Sequence, residues 1–350
     1  MGEPFASPRR EGAPREILRA PGGRSLGAGW RRVPSDQRRA AAERLGRKAT
    51  CGRFTSSEAA EPCLPHRSLG SLGWVGGGCA SATCGRALAS DNDMARPPRF
   101  PGYGAEADFY DLCWGPWTDD IEFFRKRLGR PGRLLDLMCG TGRVALAFAR
   151  AGWTVDGVDR SVAMLRIARS KLKTFPVRAR RRVRFHRGEL TGFRLPFVFD
   201  AAVIALNSLP LILSRSERVQ ALRNVHRHLV RSGRLLVQID TPRSYESARF
   251  GAPILNVFRL DQGRRWYVRS LVERFLRPDI VKGVTRHLIV DRSGRCLKQG
   301  TSETRTRVLP TAEVVRELRE AGFSTTRLFG SYRGDRLKSD SGFAVIEAVA

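Results

Sequence analysis

The chain has 350 residues, of which 41% are hydrophobic, and no run approaches the roughly 18 consecutive apolar residues that a membrane helix needs. This excludes a membrane-spanning class, and because no signal-peptide pattern is present we expect a cytoplasmic protein. The net charge of +29 makes nucleic acid a candidate partner. Only seven of the 63 basic residues are lysine, however, and an arginine excess spread along the whole chain fits coding bias equally well.

Residues 1–93 are rich in Gly, Pro, Ser, Ala and Arg and show almost no apolar periodicity, so we expect a disordered extension. Recognisable patterning begins directly after Met94, and we hypothesise that translation starts there. The seven cysteines of the chain lack CxxC or Cys/His zinc spacing, which predicts free thiols and no metal site.

From Met94 onward, predicted helices and strands alternate as a parallel, helix-covered sheet requires. Predicted helices cover 118–128, 141–151, 161–173 and 216–230, the first capped by Thr118 and the third by Ser161. Predicted strands cover 133–137, 154–158, 183–186, 199–205 and 234–239. The arginine-rich run from Arg178 to Arg184 lies between two of these elements, and we interpret it as a solvated connecting loop.

After Asp240 the pattern changes. Residues 254–308 contain period-two stretches separated by turn signals such as Asp261-Gln-Gly263, which predicts an antiparallel subdomain. A helix over 311–321 and strands over 324–329 and 343–349 are predicted to complete the chain.

The segment Asp136-Leu-Met-Cys-Gly-Thr-Gly142 follows a strand and opens a helix, so Gly140 and Gly142 allow a ligand to approach the backbone at a helix N-terminus. The glycine spacing, with Asp159 about twenty residues later, also fits a dinucleotide site. Asp136 favours S-adenosylmethionine over a dinucleotide as the ligand. Its carboxylate would repel the pyrophosphate of a dinucleotide but suits the ammonium and sulfonium groups of S-adenosylmethionine.

On these residues the chain resembles the class I S-adenosylmethionine-dependent methyltransferases over roughly Tyr103 to Ala350. It is similar to sugar-amine N,N-dimethyltransferases and glycine N-methyltransferases. The resemblance implies an α/β fold: a Rossmann-like seven-stranded sheet whose last strand is antiparallel, with an antiparallel β lid inserted after the fifth strand. The expected divisions are the extension (1–93), the cofactor-binding core (94–241), the lid (242–308) and a C-terminal helix and strand pair (309–350).

The resemblance also implies roles for individual residues. The glycines border the methionine part of S-adenosylmethionine, Asp159 receives the ribose hydroxyls, and Arg160 and Met164 flank the adenine. The implied cofactor-binding residues are Asp136, Gly140, Thr141, Gly142, Asp159, Arg160, Met164, Gly188, Glu189, Leu190 and Asn207. The substrate-facing candidates are Tyr110, Trp117 and Ser208. Met138 departs from the family, which usually has a small residue there.

Several of these residues have a purely structural alternative. Asp159 could interact only with a helix dipole, and Glu189 could be a solvated loop acid. Asn207 and Ser208 could simply cap a turn, and the aromatic residues before the first predicted helix could serve packing alone.

Methyl transfer from a sulfonium is an in-line displacement, so alignment of the nucleophile can supply most of the catalysis. A general base is therefore optional, no catalytic residue stands out, and we assign none of the histidines that role. The sequence predicts methyl transfer to a nitrogen or oxygen of a small molecule. The alternatives are an RNA or protein substrate, motivated by the charge, and a non-catalytic cofactor-binding partner protein.

Overall fold

The computed structural model describes residues 104–246 and 251–350. The predicted extension over 1–93 and the hypothetical start at Met94 lie outside these residues. Within the described ranges, no helix combines the length and apolar character needed to cross a membrane.

The described residues form seven α-helices and eleven strands. The helices are α1 (Gly104–Trp114), α2 (Asp119–Leu128), α3 (Arg143–Arg150), α4 (Val162–Lys173), α5 (Val177–Arg180), α6 (Arg215–Arg227) and α7 (Thr311–Glu320). The strands are β1 (Arg133–Leu137), β2 (Thr154–Asp159), β3 (Val183–Arg187), β4 (Phe199–Ile204), β5 (Leu229–Asp240), β6 (Ile254–Leu260), β7 (Arg265–Arg277), β8 (Ile280–Asp291), β9 (Cys296–Arg307), β10 (Ser324–Phe329) and β11 (Phe343–Val349).

Seven strands form one sheet in the order β10-β11-β5-β4-β1-β2-β3. β1 pairs in parallel with β2 and β4, while β11 runs antiparallel to both β5 and β10. The predicted seven-stranded α/β sheet with an antiparallel last strand is therefore confirmed. The strand order reverses between β1 and β4, and their carboxyl ends border the crevice where α/β sheets bind ligands.

Successive side chains along a strand point to opposite faces of the sheet, so the core forms two layers, one on each face. Leu135 and Leu137 of β1 belong to a cluster with residues of α6 and α7, whereas Leu134 belongs to a second cluster with residues of α2 and α3. Because apolar side chains project from both faces of the sheet, helices must cover both sides, as the parallel topology requires.

The lid forms a separate four-stranded antiparallel sheet in the order β6-β7-β8-β9. It enters after β5 and leaves into α7, which confirms the predicted insertion after the fifth strand. The exact division at 242 and 308 stays a prediction.

One helix was missed and two local predictions were wrong. Helix α1 was not predicted, although Tyr110 and Trp114 lie in it; its contacts with α4 and β9 hold it in place. Thr118 precedes α2, but its side chain makes no capping hydrogen bond. The run from Arg178 to Arg184 is not a connecting loop, because it forms the short helix α5 and the start of β3.

Candidate cofactor-binding site

The turn between β1 and α3 requires an unusual backbone. Met138, Gly140 and Gly142 all have positive φ, at 54°, 54° and 75°. A Cβ atom on Gly142 would lie 2.6 Å from Cζ of Phe185, so only glycine fits there. Met138 adopts the same left-handed region without the freedom of glycine, and its side chain packs against the core. The turn is thus strained at the one residue that departs from the family pattern.

Asp136 lies beneath this turn and is almost fully buried. Its Oδ2 accepts the backbone N–H of Ala145 in the first turn of α3 at 2.9 Å. Burial raises the pKa of Asp136 to about 7, although the hydrogen bond from Ala145 and the charge of Arg143 oppose the shift. A positive group bound nearby would favour the ionised carboxylate.

Asp159 connects the end of β2 to the glycine turn. Its Oδ2 accepts the N–H of Gly140 at 2.8 Å, and its Oδ1 accepts the N–H of Ser161 at 2.7 Å. Burial raises the pKa of Asp159, and these backbone hydrogen bonds oppose that shift. A carboxylate has about four lone-pair sites, so Asp159 can accept two further hydrogen bonds. The two predicted residues Asp159 and Gly140 are therefore in direct contact.

The loop after β3 lies beside Asp159. The N–H of Gly188 donates to the Asp159 carbonyl at 3.0 Å. Oε2 of Glu189 lies 3.9 Å from Nη1 of Arg160, and the Glu189 side chain is 65% exposed. The structure thus brings Arg160, Gly188 and Glu189 to the same edge as Asp159, with Glu189 directed towards solvent.

Met164 and Leu190 occupy buried positions. The Met164 sulfur lies 4.0 Å from where a Cβ on Gly140 would be, so this side chain adjoins the glycine turn. Ser161 caps α4 as predicted, because its hydroxyl accepts the N–H of Met164 at 3.3 Å. The Leu190 side chain lies in the hydrophobic core, which leaves its backbone for any ligand contact.

Asn207 joins the carboxyl ends of β4 and β5. Its N–H donates to Oε1 of Gln238, and its Oδ1 accepts the N–H of Asp240, both at 2.8 Å. Its Nδ2 also donates to the hydroxyl of Tyr245, at the entrance to the lid, at 3.1 Å. This network holds a non-glycine residue at φ 54° and fixes Tyr245 beside the crevice.

The predicted substrate-facing residues differ in their surroundings. Ser208 donates its hydroxyl to the Ala205 carbonyl at 2.6 Å, as the turn-capping alternative expects. Trp117 is buried and packs edge-on against Tyr332. Tyr110 lies half-buried on α1, and burial raises its pKa. The substrate role of these residues stays a prediction.

Sequence analysis missed a contact between α1 and the glycine turn. Thr141 is fully buried and donates its hydroxyl to Oδ1 of Asp111 at 2.6 Å. Nζ of Lys171 on α4 donates to Oδ2 of Asp111 at 2.8 Å and to the Thr141 hydroxyl at 3.1 Å. No signal in the sequence links these three residues, since they come from three separate elements.

A second missed contact lies on the other side of the turn. Arg143, which follows Gly142, is buried and pairs with Asp120 of α2 at 2.5 Å. It also donates to the carbonyl of Trp117 at 2.7 Å. Residues on both α1 and α2 thus fix the start of α3.

Comparison with known proteins agrees with this geometry. Residues 134–233 match the model of the family described as a methyltransferase domain. YqeM of Bacillus subtilis is 31% identical over 142 residues, which cover 40% of this chain and 56% of that protein. The cypemycin N-terminal methyltransferase of a Streptomyces species is 27% identical over 206 residues, 58% of this chain and 76% of that enzyme. The chain thus spans just over half the length of the first relative.

Solved structures share the fold. The CcbJ methyltransferase of Streptomyces caelestis superimposes with a TM-score of 0.58 at 22% identity, covering 71% of this chain and 97% of that one. DesVI of Streptomyces venezuelae gives a TM-score of 0.56 at 23% identity, covering 69% of this chain and 97% of that one. The chain therefore carries a methyltransferase domain, at residues 134–233, within the fold of the class I S-adenosylmethionine-dependent methyltransferases.

Proposed function

We propose that this protein is an S-adenosylmethionine-dependent methyltransferase that methylates a nitrogen or oxygen of a small molecule. The observation that carries the proposal is the direct contact between Asp159 and Gly140, with Asp136 buried beneath the same turn. The two acids lie near the carboxyl ends of the neighbouring strands β1 and β2, beside the glycine turn.

The residues present fit this cofactor. Asp159 retains two lone-pair sites for the ribose hydroxyls, and Gly140 leaves space beside Met164. Asp136 supplies a carboxyl whose ionised form an ammonium group would stabilise. When bound, S-adenosylmethionine supplies a methyl group on a positively charged sulfur.

The contribution of the protein to the reaction is alignment. An in-line displacement needs the nucleophile held close to the methyl carbon. Such positioning raises the effective concentration of the nucleophile and can accelerate the reaction greatly. Helix α1 is tied to the glycine turn through Asp111, and Asn207 fixes Tyr245 at the entrance to the lid. These contacts hold α1 and Tyr245 beside the site, where they can position an acceptor and exclude water.

A small acceptor is favoured because the lid sheet and α1 contact each other through ring stacking of Phe109 on His287. A covered site suits a compact substrate better than a folded RNA. The name of the cypemycin enzyme, an N-terminal methyltransferase, supports nitrogen as the acceptor atom.

The test is calorimetry with S-adenosylhomocysteine, the reaction product. Wild-type protein is expected to bind it, and Asp159→Ala is expected to weaken binding by about tenfold or more, because hydrogen bonds to a charged group contribute about 1.5–3 kcal/mol each. The matched control is Asp200→Ala. That carboxylate accepts the N–H of Arg133 at 2.7 Å, where β1 begins and away from the glycine turn.

Unchanged affinity in Asp159→Ala would remove the site assignment, and no binding to wild-type protein would remove the function. Methyl transfer from labelled cofactor to RNA, with salt-sensitive binding, would instead favour the RNA alternative.

A further inference from the structure

The lid face that packs against α1 carries a group of polar and aromatic side chains. The hydroxyl of Tyr267 on β7 lies 2.8 Å from Nδ1 of His287 on β8. Nε2 of His287 lies 3.1 Å from the hydroxyl of Ser302 on β9. Arg269 pairs with His287 across the strands and donates to Asn256 at 3.1 Å. Four strands thus contribute hydrogen-bonding groups to one face.

Helix α1 covers this face. The Phe109 ring stacks on His287 with centroids 4.9 Å apart and planes 10° apart. Burial, assisted by the charge of Arg269, lowers the pKa of His287 to about 4, so its ring is neutral at pH 7. The lid contributes two cations on this side, Arg269 and Lys298, and Nζ of Lys298 lies 5.3 Å from the centroid of the Phe109 ring.

Glu106 is directed into the same region from α1. Ser302 and Arg269 lie close enough to favour the ionised carboxylate, yet burial dominates and raises the pKa of Glu106. Its Oε2 is buried, and no group among the described residues donates a hydrogen bond to it. A buried oxygen without a donor has lost its hydration with nothing to replace it. A ligand N–H placed there would supply the missing hydrogen bond.

The position along α1 connects Glu106 to the cofactor motif. Asp111, five residues later, contacts Thr141 of the glycine turn. At 1.5 Å per residue this is about 7.5 Å along the helix axis, roughly the length of a small acceptor. Tyr110 lies between the two, close enough to both Glu106 and Arg143 for their charges to act on its hydroxyl.

We propose that Glu106 is an acceptor-binding residue whose Oε2 accepts an N–H of a hydrophilic amine, with Ser302 and Arg269 beside its carboxyl group. This inference rests on the proposed function and specifies the acceptor as an amine rather than a phenol. An amine can donate one N–H to Glu106 and direct its lone pair elsewhere. A phenol that donated its single O–H would have its reacting oxygen held against the carboxylate.

The experiment measures transfer of a labelled methyl group to glucosamine, ethanolamine and trialanine, and to catechol and 4-hydroxybenzoate. In Glu106→Gln, the KM for a methylated amine is expected to rise about tenfold or more, because an amide replaces the carboxyl group that accepts the N–H. Binding of S-adenosylhomocysteine should change less than about twofold. The control is Glu122→Gln, an exposed carboxylate on α2.

Methylation of phenols but not amines would overturn the proposal, and so would an unchanged KM in Glu106→Gln. It would also be overturned if the amine probes bound equally well to the S-adenosylhomocysteine complexes of wild-type protein and Glu106→Gln. Failure of wild-type protein to bind S-adenosylhomocysteine would instead point to the proposed function itself.

Discussion

Oδ2 of Asp136 accepts the backbone N–H of Ala145 at 2.9 Å, so a carboxyl group at the end of β1 is held against the first turn of α3. Burial raises its pKa from 3.8 to about 7. Asp136 therefore changes from neutral to charged around neutral pH, and this change would strengthen the binding of a cationic ligand.

We expect the affinity for S-adenosylhomocysteine to rise between about pH 6 and 8, because the ligand ammonium favours the ionised carboxylate. In Asp136→Asn the rise should be absent, whereas Asp200→Asn should retain it. Calorimetry across this range measures the effect. Identical pH profiles in wild-type and Asp136→Asn would show that Asp136 does not sense the ligand.

The same shift affects folding. Because the folded pKa is raised, the stability contributed by protonated Asp136 is fully present below about pH 3.8 and is lost as pH rises through 7. Asp136→Asn, which cannot ionise, should therefore gain in Tm relative to wild-type protein as pH increases from 5 to 8. A constant difference in Tm would contradict the shifted pKa.

Met138 at φ 54° offers a test of backbone strain. Comparing Met138→Gly with Met138→Ala removes the side-chain packing from both variants, and the glycine variant should be more stable by about 1 kcal/mol. At Ser170, inside α4, the order should reverse, since alanine is favoured over glycine in a helix by about 0.5–1 kcal/mol. Urea denaturation measures both pairs, and equal stability at Met138 would argue against strain.

Arg218 connects α6 to α7. Its Nε and Nη2 donate to Glu317 at 3.0 and 2.6 Å, and both side chains are fully buried. Arg218→Ala should reduce the free energy of unfolding by about 3–5 kcal/mol, because it leaves a buried charge unpaired. Arg223→Ala on the same helix removes an exposed pair with Glu320 at 3.4 Å and should cost at most about 1 kcal/mol. Similar losses in both would show that Glu317 is solvated or neutral.

Asp111 links α1 to the glycine turn and to α4. Asp111→Ala should let α1 open more often and raise amide hydrogen exchange in this helix about tenfold, since a charge-assisted hydrogen bond is lost. Asp108→Ala removes more exposed pairs, to Lys298 at 2.9 Å and Arg166 at 3.4 Å, and should have a smaller effect. If both variants exchange alike, the contact with Thr141 does not hold the helix.

Much of the sheet could be predicted from sequence because strands such as Arg133–Leu137 and Phe343–Val349 are short, mainly apolar runs. The strands at 324–329 and 343–349 have the predicted bounds, and β1 has them too. Helix α1 escaped prediction because contacts with distant elements stabilise it, and Thr118 shows that a favoured capping residue need not cap.

The candidate site also has some residues that a local sequence pattern reveals and others that only the packing of distant segments brings together. The sequence by itself determined the glycine turn with Asp136 and Asp159, because backbone conformation and strand-to-helix order act over a few residues and leave a local pattern. Only the tertiary structure decided that Glu106 meets Ser302, that Asp111 meets Thr141, and that Lys298 reaches Asp108 across 190 positions. Such contacts depend on how helices and lid pack together, and packing between distant segments leaves no spacing to read in a single chain.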